Sequence, residues 1–205
     1  MARKTKAEAE KTRRRILKAA LKLFVEAGYE RTTFDDVARH IGLTKGAVYW
    51  HFKNKPELLA ELVVFMTERH TAQLASTLSH PASLDSLEAL TDYFVRRARL
   101  IVDSPTHRRF FLMVRRLDWS SSQFVPVHQR IRRMSTMPYA IVFSALEGMR
   151  SVGAVRPDTD LAAVSSVVMV IWLGLVEQEI AHCLETDLER ALRLGFEAVW
   201  NRVRT

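Results

Sequence analysis

Two short segments hinged on one glycine constrain this chain more than any other feature. Thr33 can cap a helix starting at Phe34, with Asp35 and Asp36 set against the positive end of its dipole. Phe34, Val37, Ala38 and Ile41 then share one apolar face, and Gly42 stops the helix. Thr44 caps a second short helix, in which Val48 and Phe52 lie four apart and turn toward a core. Lys45, Tyr49 and His51 are left facing outward, in an unbroken run with Trp50. A short amphipathic helix, a glycine turn and a second short helix make a helix-turn-helix, a spacing that ordinary helical hairpins share. The outward chemistry separates the two readings. A cation beside aromatic hydrogen-bonding groups suits DNA, because Lys reaches guanine edges or phosphate while Tyr and His hold phosphate oxygens.

The run TTFDDVARHIGLTKGAVYWHFKNK, Thr32 to Lys55, closely resembles the DNA-binding domain of the TetR family of repressors. The Tyr-Trp-His-Phe sequence at 49–52 and the opening Met1-Ala2-Arg3-Lys4-Thr5-Lys6 are similar to the branch that controls multidrug efflux pumps. The resemblance covers roughly residues 1–65. It implies an all-α fold of about nine helices: a three-helix DNA-binding domain over 1–57, and a larger helical ligand-binding and dimerisation domain over 58–205. By position, the DNA-binding set is Thr33, Thr44, Lys45, Gly46, Ala47, Tyr49, Trp50, His51 and Lys55. Position 45 is Lys where that branch often has Arg, so the rigid bidentate fork for guanine is missing there.

Charge points the same way. The chain carries 31 basic and 23 acidic residues, net +8; residues 1–55 hold 14 and 6 of them, and the remaining 150 hold 17 and 17. All the excess positive charge therefore sits on the segment that would meet phosphate. Residues 1 to about 11 read as a flexible basic arm, with Lys4, Lys6 and Lys11 able to reach phosphates. Of Arg13, Arg14 and Arg15, adjacent in sequence, at most one or two can face DNA.

The opening residues lack the apolar core of a signal peptide, and the apolar run Leu161–Val176 is interrupted by Ser165 and Ser166 and is short for a membrane span. A cytoplasmic protein without membrane partners is the expectation. Cys183 stands alone and reads as a buried, inert thiol. The seven histidines have no metal-ligand spacing, and neither a glycine-rich phosphate loop nor a nucleophile triad is present, so no enzyme, metal or cofactor is expected.

Periodicity supplies the remaining helices. The first carries Ile16, Leu17, Ala20, Leu21 and Phe24 and ends at Gly28. Asn54 and Glu57 make a capping box for a long fourth helix to about residue 78, with Lys55 at its start. A breaker follows at 79–83. Further helices are expected over 84–102, 106–117, 123–152 (bent near Pro138), from Asp158 or Thr159 to Leu184, and from a Thr186–Glu189 capping box onward. The eighth is apolar nearly all round, so it is buried on more than one side. Paired with the ninth and a second copy of both, as the resemblance implies, it gives a two-fold interface, with Val164, Val168, Ile171, Leu175, Leu192, Phe196 and Val199 at the seam; the alternative is a monomer whose ninth helix simply covers the eighth.

The resemblance also implies a pocket for a small hydrophobic or cationic drug-like inducer. Met and aromatic side chains can line one, since thioethers repack around different shapes. Leu62, Phe65, Met66, His70, Phe94, Phe110, Met113, Met134, Met137, Met169 and Trp172 are the candidates, though each also suits an ordinary core. The expected protein is a dimeric repressor on a palindromic operator, released by such a ligand and controlling a drug-efflux operon. The alternative is a DNA-binding dimer of the same fold with no small-molecule inducer.

Overall fold

The computed structural model describes residues 6–77 and 84–205, with side chains there except at 70, 71, 74–77, 128 and 130–136. Lys4, the breaker at 79–83 and the side chains of His70 and Met134 lie outside the described residues. Nine α-helices are present among them: α1 Lys6–Ala27, α2 Phe34–His40, α3 Lys45–His51, α4 Lys55–Thr77, α5 Leu87–Val102, α6 Pro105–Arg116, α7 His128–Ser151, α8 Leu161–Ile180 and α9 Leu188–Val203. The fold is all-α, as expected, with one isolated bridge between Val155 and Arg204.

The chain packs as two compact units. One takes residues through Glu68 together with 109–134, and the other takes 69–108 and 135–205. The division falls inside α4, α6 and α7, each of which continues through it.

In the first unit, α1 contributes Ile16, Leu17, Ala20 and Phe24, α2 Phe34 and Val37, α3 Val48, and α4 Leu58, Leu59, Leu62 and Met66. Phe110 from α6 and Phe124 and Val127 from a 3-10 turn over Ser122–Val127 complete the same core. That turn replaces the expected start of the seventh helix. Pro126 has no amide hydrogen and disfavours helical backbone at Val125, so regular helix begins only at His128. The first helix also begins earlier than expected, taking the second half of the segment read as a basic arm. Residues 6–11 are the first turns of α1, where Glu10 pairs with Arg14 at 3.0 Å in a helix-forming Ala-Glu-Ala-Glu run.

In the second unit, α5, α8 and α9 pack against one another. Their buried indoles are satisfied: Trp172 Nε1 donates to the Phe94 carbonyl at 2.9 Å and Trp200 Nε1 to Thr91 Oγ1 at 2.8 Å. The caps differ from those expected. Asp160, not Asp158 or Thr159, accepts from the amides of Ala162 and Ala163, while Asp158 is held by Arg156. Asp187, not Thr186, caps α9 by accepting from the Arg190 amide.

Helix α8 ends at Ile180 rather than Leu184. His182 takes φ 57°, and the amides of His182 and Cys183 bond back to Glu179 and Gln178, closing the helix as a glycine usually would. Cys183 follows that cap and is exposed, not buried. At 20 residues α8 is long and apolar enough to cross a membrane by length and composition alone, but here it packs against α5 and α9.

Helices α8 and α9 approach closely at Gly195, where an added Cβ would stand 2.9 Å from Ile171 Cγ2. Ile is stiff about χ1 in a helix, so that methyl cannot swing aside. Gly195→Val is expected to cost about 1–3 kcal/mol by overpacking. Gly148→Ala, where nothing lies within 4 Å of the added atom, should stabilise by about 0.5–1 kcal/mol. Urea unfolding of both variants, read as midpoint shifts at constant slope, checks the pair.

Candidate nucleic-acid interface

The turn between α2 and α3 is built from its backbone outward. Gly42 adopts φ 67°, the amides of Gly42 and Leu43 bond back to Arg39 and Ala38, and Arg15 Nη2 donates to the Ile41 carbonyl at 2.9 Å. Thr33 and Asp36 form a reciprocal capping box on α2, and Thr44 Oγ1 accepts from the Ala47 amide at the start of α3. Val48 and Phe52 are fully buried, which fixes the rotation of α3 about its axis.

That rotation exposes Thr44, Lys45 and Gly46, leaves Ala47 and His51 half-buried, and turns Tyr49 and Trp50 outward at 51% and 71% exposure. Large aromatics so exposed on a two-turn helix cost solvation and contribute little to this core. Tyr49 still rests edge-on against Phe34, centroids 4.8 Å apart, and Trp50 against His51 at 4.6 Å. A side chain at Gly46 would meet only Thr44 Oγ1, at 3.9 Å, so its backbone is open to close approach. Thr33 is exposed beside this face.

Electrostatics organise the same surface. Lys45 Nζ lies 2.8 Å from Asp35 Oδ2, and that hydrogen bond and charge hold the ammonium above its ordinary pKa. The Asp36 carboxyl is held below the usual carboxylate range by the Thr33 hydroxyl and amide. Arg13, Arg14 and Arg15 all have protein partners: Glu61, Glu10 and the Ile41 carbonyl.

Lys55 differs from expectation. Its ammonium donates to the carbonyls of Tyr29 and Glu30 at 3.0 Å each and sits 4.4 Å above the Tyr29 ring, tying the start of α4 to the loop after α1. The expected capping box there is also rewired, since Asn54 accepts from the Glu57 amide but the Glu57 carboxylate accepts from Lys53. Lys53, which sequence reasoning passed over, is exposed with no ion-pair partner among the described residues. Its nearness in sequence to the aromatic run was the available signal.

The described residues of the expected ligand set divide between the two units. Leu62, Met66 and Phe110 are buried in the core of the first unit, with Phe65 and Met113 packed on it. Phe94 and Trp172 are buried in the second unit with ring centroids 5.9 Å apart, and Met169 is half-buried. Met137 is 40% exposed and lines a surface groove of about 740 Å³ with Leu84, Ile141 and Val152. Of the expected seam, Val168, Leu192 and Phe196 are fully buried within the chain itself and so are not open to a second copy, while Val164, Ile171, Leu175 and Val199 are half-buried. The large apolar side chains left exposed on α8 and α9 are Val167, Val170 and Leu194.

Two short capped helices joined by a glycine turn, with exposed cations and aromatics on the second, make a helix-turn-helix. Residues 16–62 match the domain described as bacterial regulatory proteins, tetR family. It is 51% identical over 77 residues to the HTH-type transcriptional regulator SrpR of Pseudomonas putida, covering 38% of this chain and 35% of that one. It is 26% identical over 192 residues to the probable acrEF/envCD operon repressor of Escherichia coli (strain K12), covering 92% and 84%. The matches span only 29% to 56% of the length of the first five curated relatives. Among solved structures, the SmeT–triclosan complex superposes with a TM-score of 0.76 at 24% identity, over 95% of this chain and 92% of that one.

The capping box has a pH signature. A carboxyl whose pKa is lower in the folded than in the unfolded chain stabilises above the unfolded value, and that contribution is lost as pH falls through the folded one. Asp36→Asn is therefore expected to remove part of the acid sensitivity of unfolding below about pH 4. Melting curves of both proteins between neutral and acid pH should converge as Asp36 protonates.

Proposed function

We propose that the protein is a dimeric transcriptional repressor that binds a palindromic operator through α3 and is released by a small molecule, within a drug-efflux operon in the cytoplasm. The observation that carries the reading is the exposed Lys45, Tyr49 and Trp50 face on a helix anchored by Val48 and Phe52. In this reading residues 1–57 are the DNA-binding domain and 58–205 the ligand-binding and dimerisation domain. Thr33, Thr44, Lys45, Gly46, Ala47, Tyr49, Trp50 and His51 line the DNA, and Lys53 joins them more readily than Lys55, whose ammonium is already engaged.

Asp35 gives Lys45 a role in specificity. A phosphate or guanine must compete with a carboxylate at 2.8 Å, so the lysine is held in place but costs energy to redirect. Two copies set their recognition helices about 34–36 Å apart, the spacing of successive major-groove half-sites. For the seam we favour the exposed Val167, Val170 and Leu194, flanked by Val164, Ile171, Leu175 and Val199, over the buried Val168, Leu192 and Phe196.

Release needs a coupling of only about 1–3 kcal/mol. Helix α4 is unbroken from Lys55 to Thr77, so movement of its later turns is carried to its first. Efflux control is supported by the role of SmeT as repressor of a multidrug efflux pump in Stenotrophomonas maltophilia, and a small-molecule effector by the triclosan it holds. A DNA-binding dimer without an effector is the reading left if operator binding resists every compound in a broad panel of hydrophobic drugs.

Footprinting DNA upstream of the protein's own and neighbouring genes supplies the operator. On it, Lys45→Ala should lose about 1–3 kcal/mol of binding, concentrated at one base pair of each half-site, while Tyr49→Phe weakens binding by one hydrogen bond. Unchanged affinity in both would remove α3 from the interface. Sedimentation separates the seam from the core. Val170→Glu should yield a folded monomer, because the charge is then solvated, whereas Val168→Glu should fail to fold, because it buries an unpaired carboxylate. A dimeric Val170→Glu protein would place the seam elsewhere.

A further inference from the structure

We infer that Arg97 receives an acidic group of the effector, so that the small molecule is an aromatic anion rather than a neutral or cationic compound; this rests on the ligand-release reading above. Arg97 sits on the apolar face of α5, in register with Leu90, Phe94 and Ile101, and is 6% exposed. Its Nη1 donates to Tyr93 Oη over a long 3.4 Å, its Nε is buried with no partner, and the guanidinium carbon lies 5.9 Å from the Trp172 ring centroid.

No carboxylate of the chain pairs with it among the described residues. The residues and side chains outside the description include no Asp or Glu, so the chain has none left to supply. The other arginines of this region differ. Arg193 is neutralised by Asp92 and Glu189, and Arg99 by Asp187, in a separate cleft of about 880 Å³.

A guanidinium cannot escape burial by losing its proton as a lysine can. Stacking on Trp172 offsets part of the desolvation but leaves Nε unmet and Nη1 with only its long bond to Tyr93. A carboxylate meets them directly, since its two oxygens accept parallel bonds from Nε and one Nη. Trp172, fixed by its bond to the Phe94 carbonyl, packs edge-on against Phe94, and Phe94 edge-on against Tyr93, the aromatic cluster that an attached ring would join. An ammonium ligand would add a second positive charge where the first is unmatched.

The test uses the full-length protein, its footprinted operator and three probes of one shape: 1-naphthoate, 1-naphthamide and 1-naphthylmethylammonium. Naphthoate alone should raise the melting temperature, by about 5 °C at saturation, and weaken operator binding five-fold or more. Arg97→Met should melt no lower than wild type without ligand, because an unmatched buried charge is gone, and should lose the naphthoate shift. Arg97→Lys should keep part of it. A naphthoate shift that survives in Arg97→Met, equal shifts with all three probes, or no shift with any, overturns the inference. So does an Arg97→Met protein that melts lower and falls to monomers, since the charge would then serve the protein's own assembly. Arg97-dependent naphthoate binding that leaves operator affinity unchanged keeps the anion site and defeats the release reading. Operator release by the amide or the ammonium without naphthoate binding does the reverse.

Discussion

The seating of Val48 and Phe52 is the constraint on which the rest of the DNA-facing structure depends. Helix α3 is only seven residues long and would not persist in water on its own. Both anchors are fully buried, and the Arg13 guanidinium lies 5.4 Å over the Phe52 ring while also pairing with Glu61 of α4. With one face of the helix committed to the core, the opposite face is free of packing duties. That is why Tyr49 and Trp50 can face outward without disturbing the packing of the core.

Much of this was legible in the sequence wherever one local signal had no rival. Thr33 and Thr44 each precede a single apolar register, and Gly28 and Gly42 occupy left-handed positions that other residues rarely adopt. Legibility failed where signals competed. Asp158 and Asp160 both precede one helix start, and the choice fell to a local pairing of Asp158 with Arg156, two residues before it. The end of α8 was hidden because His182, not glycine, takes the left-handed position, and that error put Cys183 inside a helix instead of beyond it. Lys55 read as a surface cation, since nothing in its neighbourhood announces two carbonyls 25 and 26 residues away. Arg97 was overlooked although its register with Phe94 and Ile101 marks it as facing inward.

Helix α8 shows the limit of pattern reading most clearly. An all-round apolar helix carries almost no amphipathic signal, so its sequence says that two faces are covered without saying which is which. Packing resolves the ambiguity: Ser165, Val168, Trp172 and Val176 turn inward, and Val167 and Val170 turn out. The serines that interrupt the run are no obstacle, because Ser165 Oγ returns its hydrogen bond to the Leu161 carbonyl at 2.7 Å.

The core beneath the helix-turn-helix also bears on how such regulators can be recombined. Phe110, Phe124 and Val127 are wedged among Phe24, Leu58 and Leu62, although more than forty residues of chain separate them from the end of that motif. A chimera cut once after residue 57 would graft reading specificity onto a foreign body while leaving behind these three plugs as well as Leu58 and Leu62. The receiving protein would have to offer side chains of matching volume in the equivalent places. Heads of this architecture are therefore exchangeable in pairs of segments, not as beads on a string.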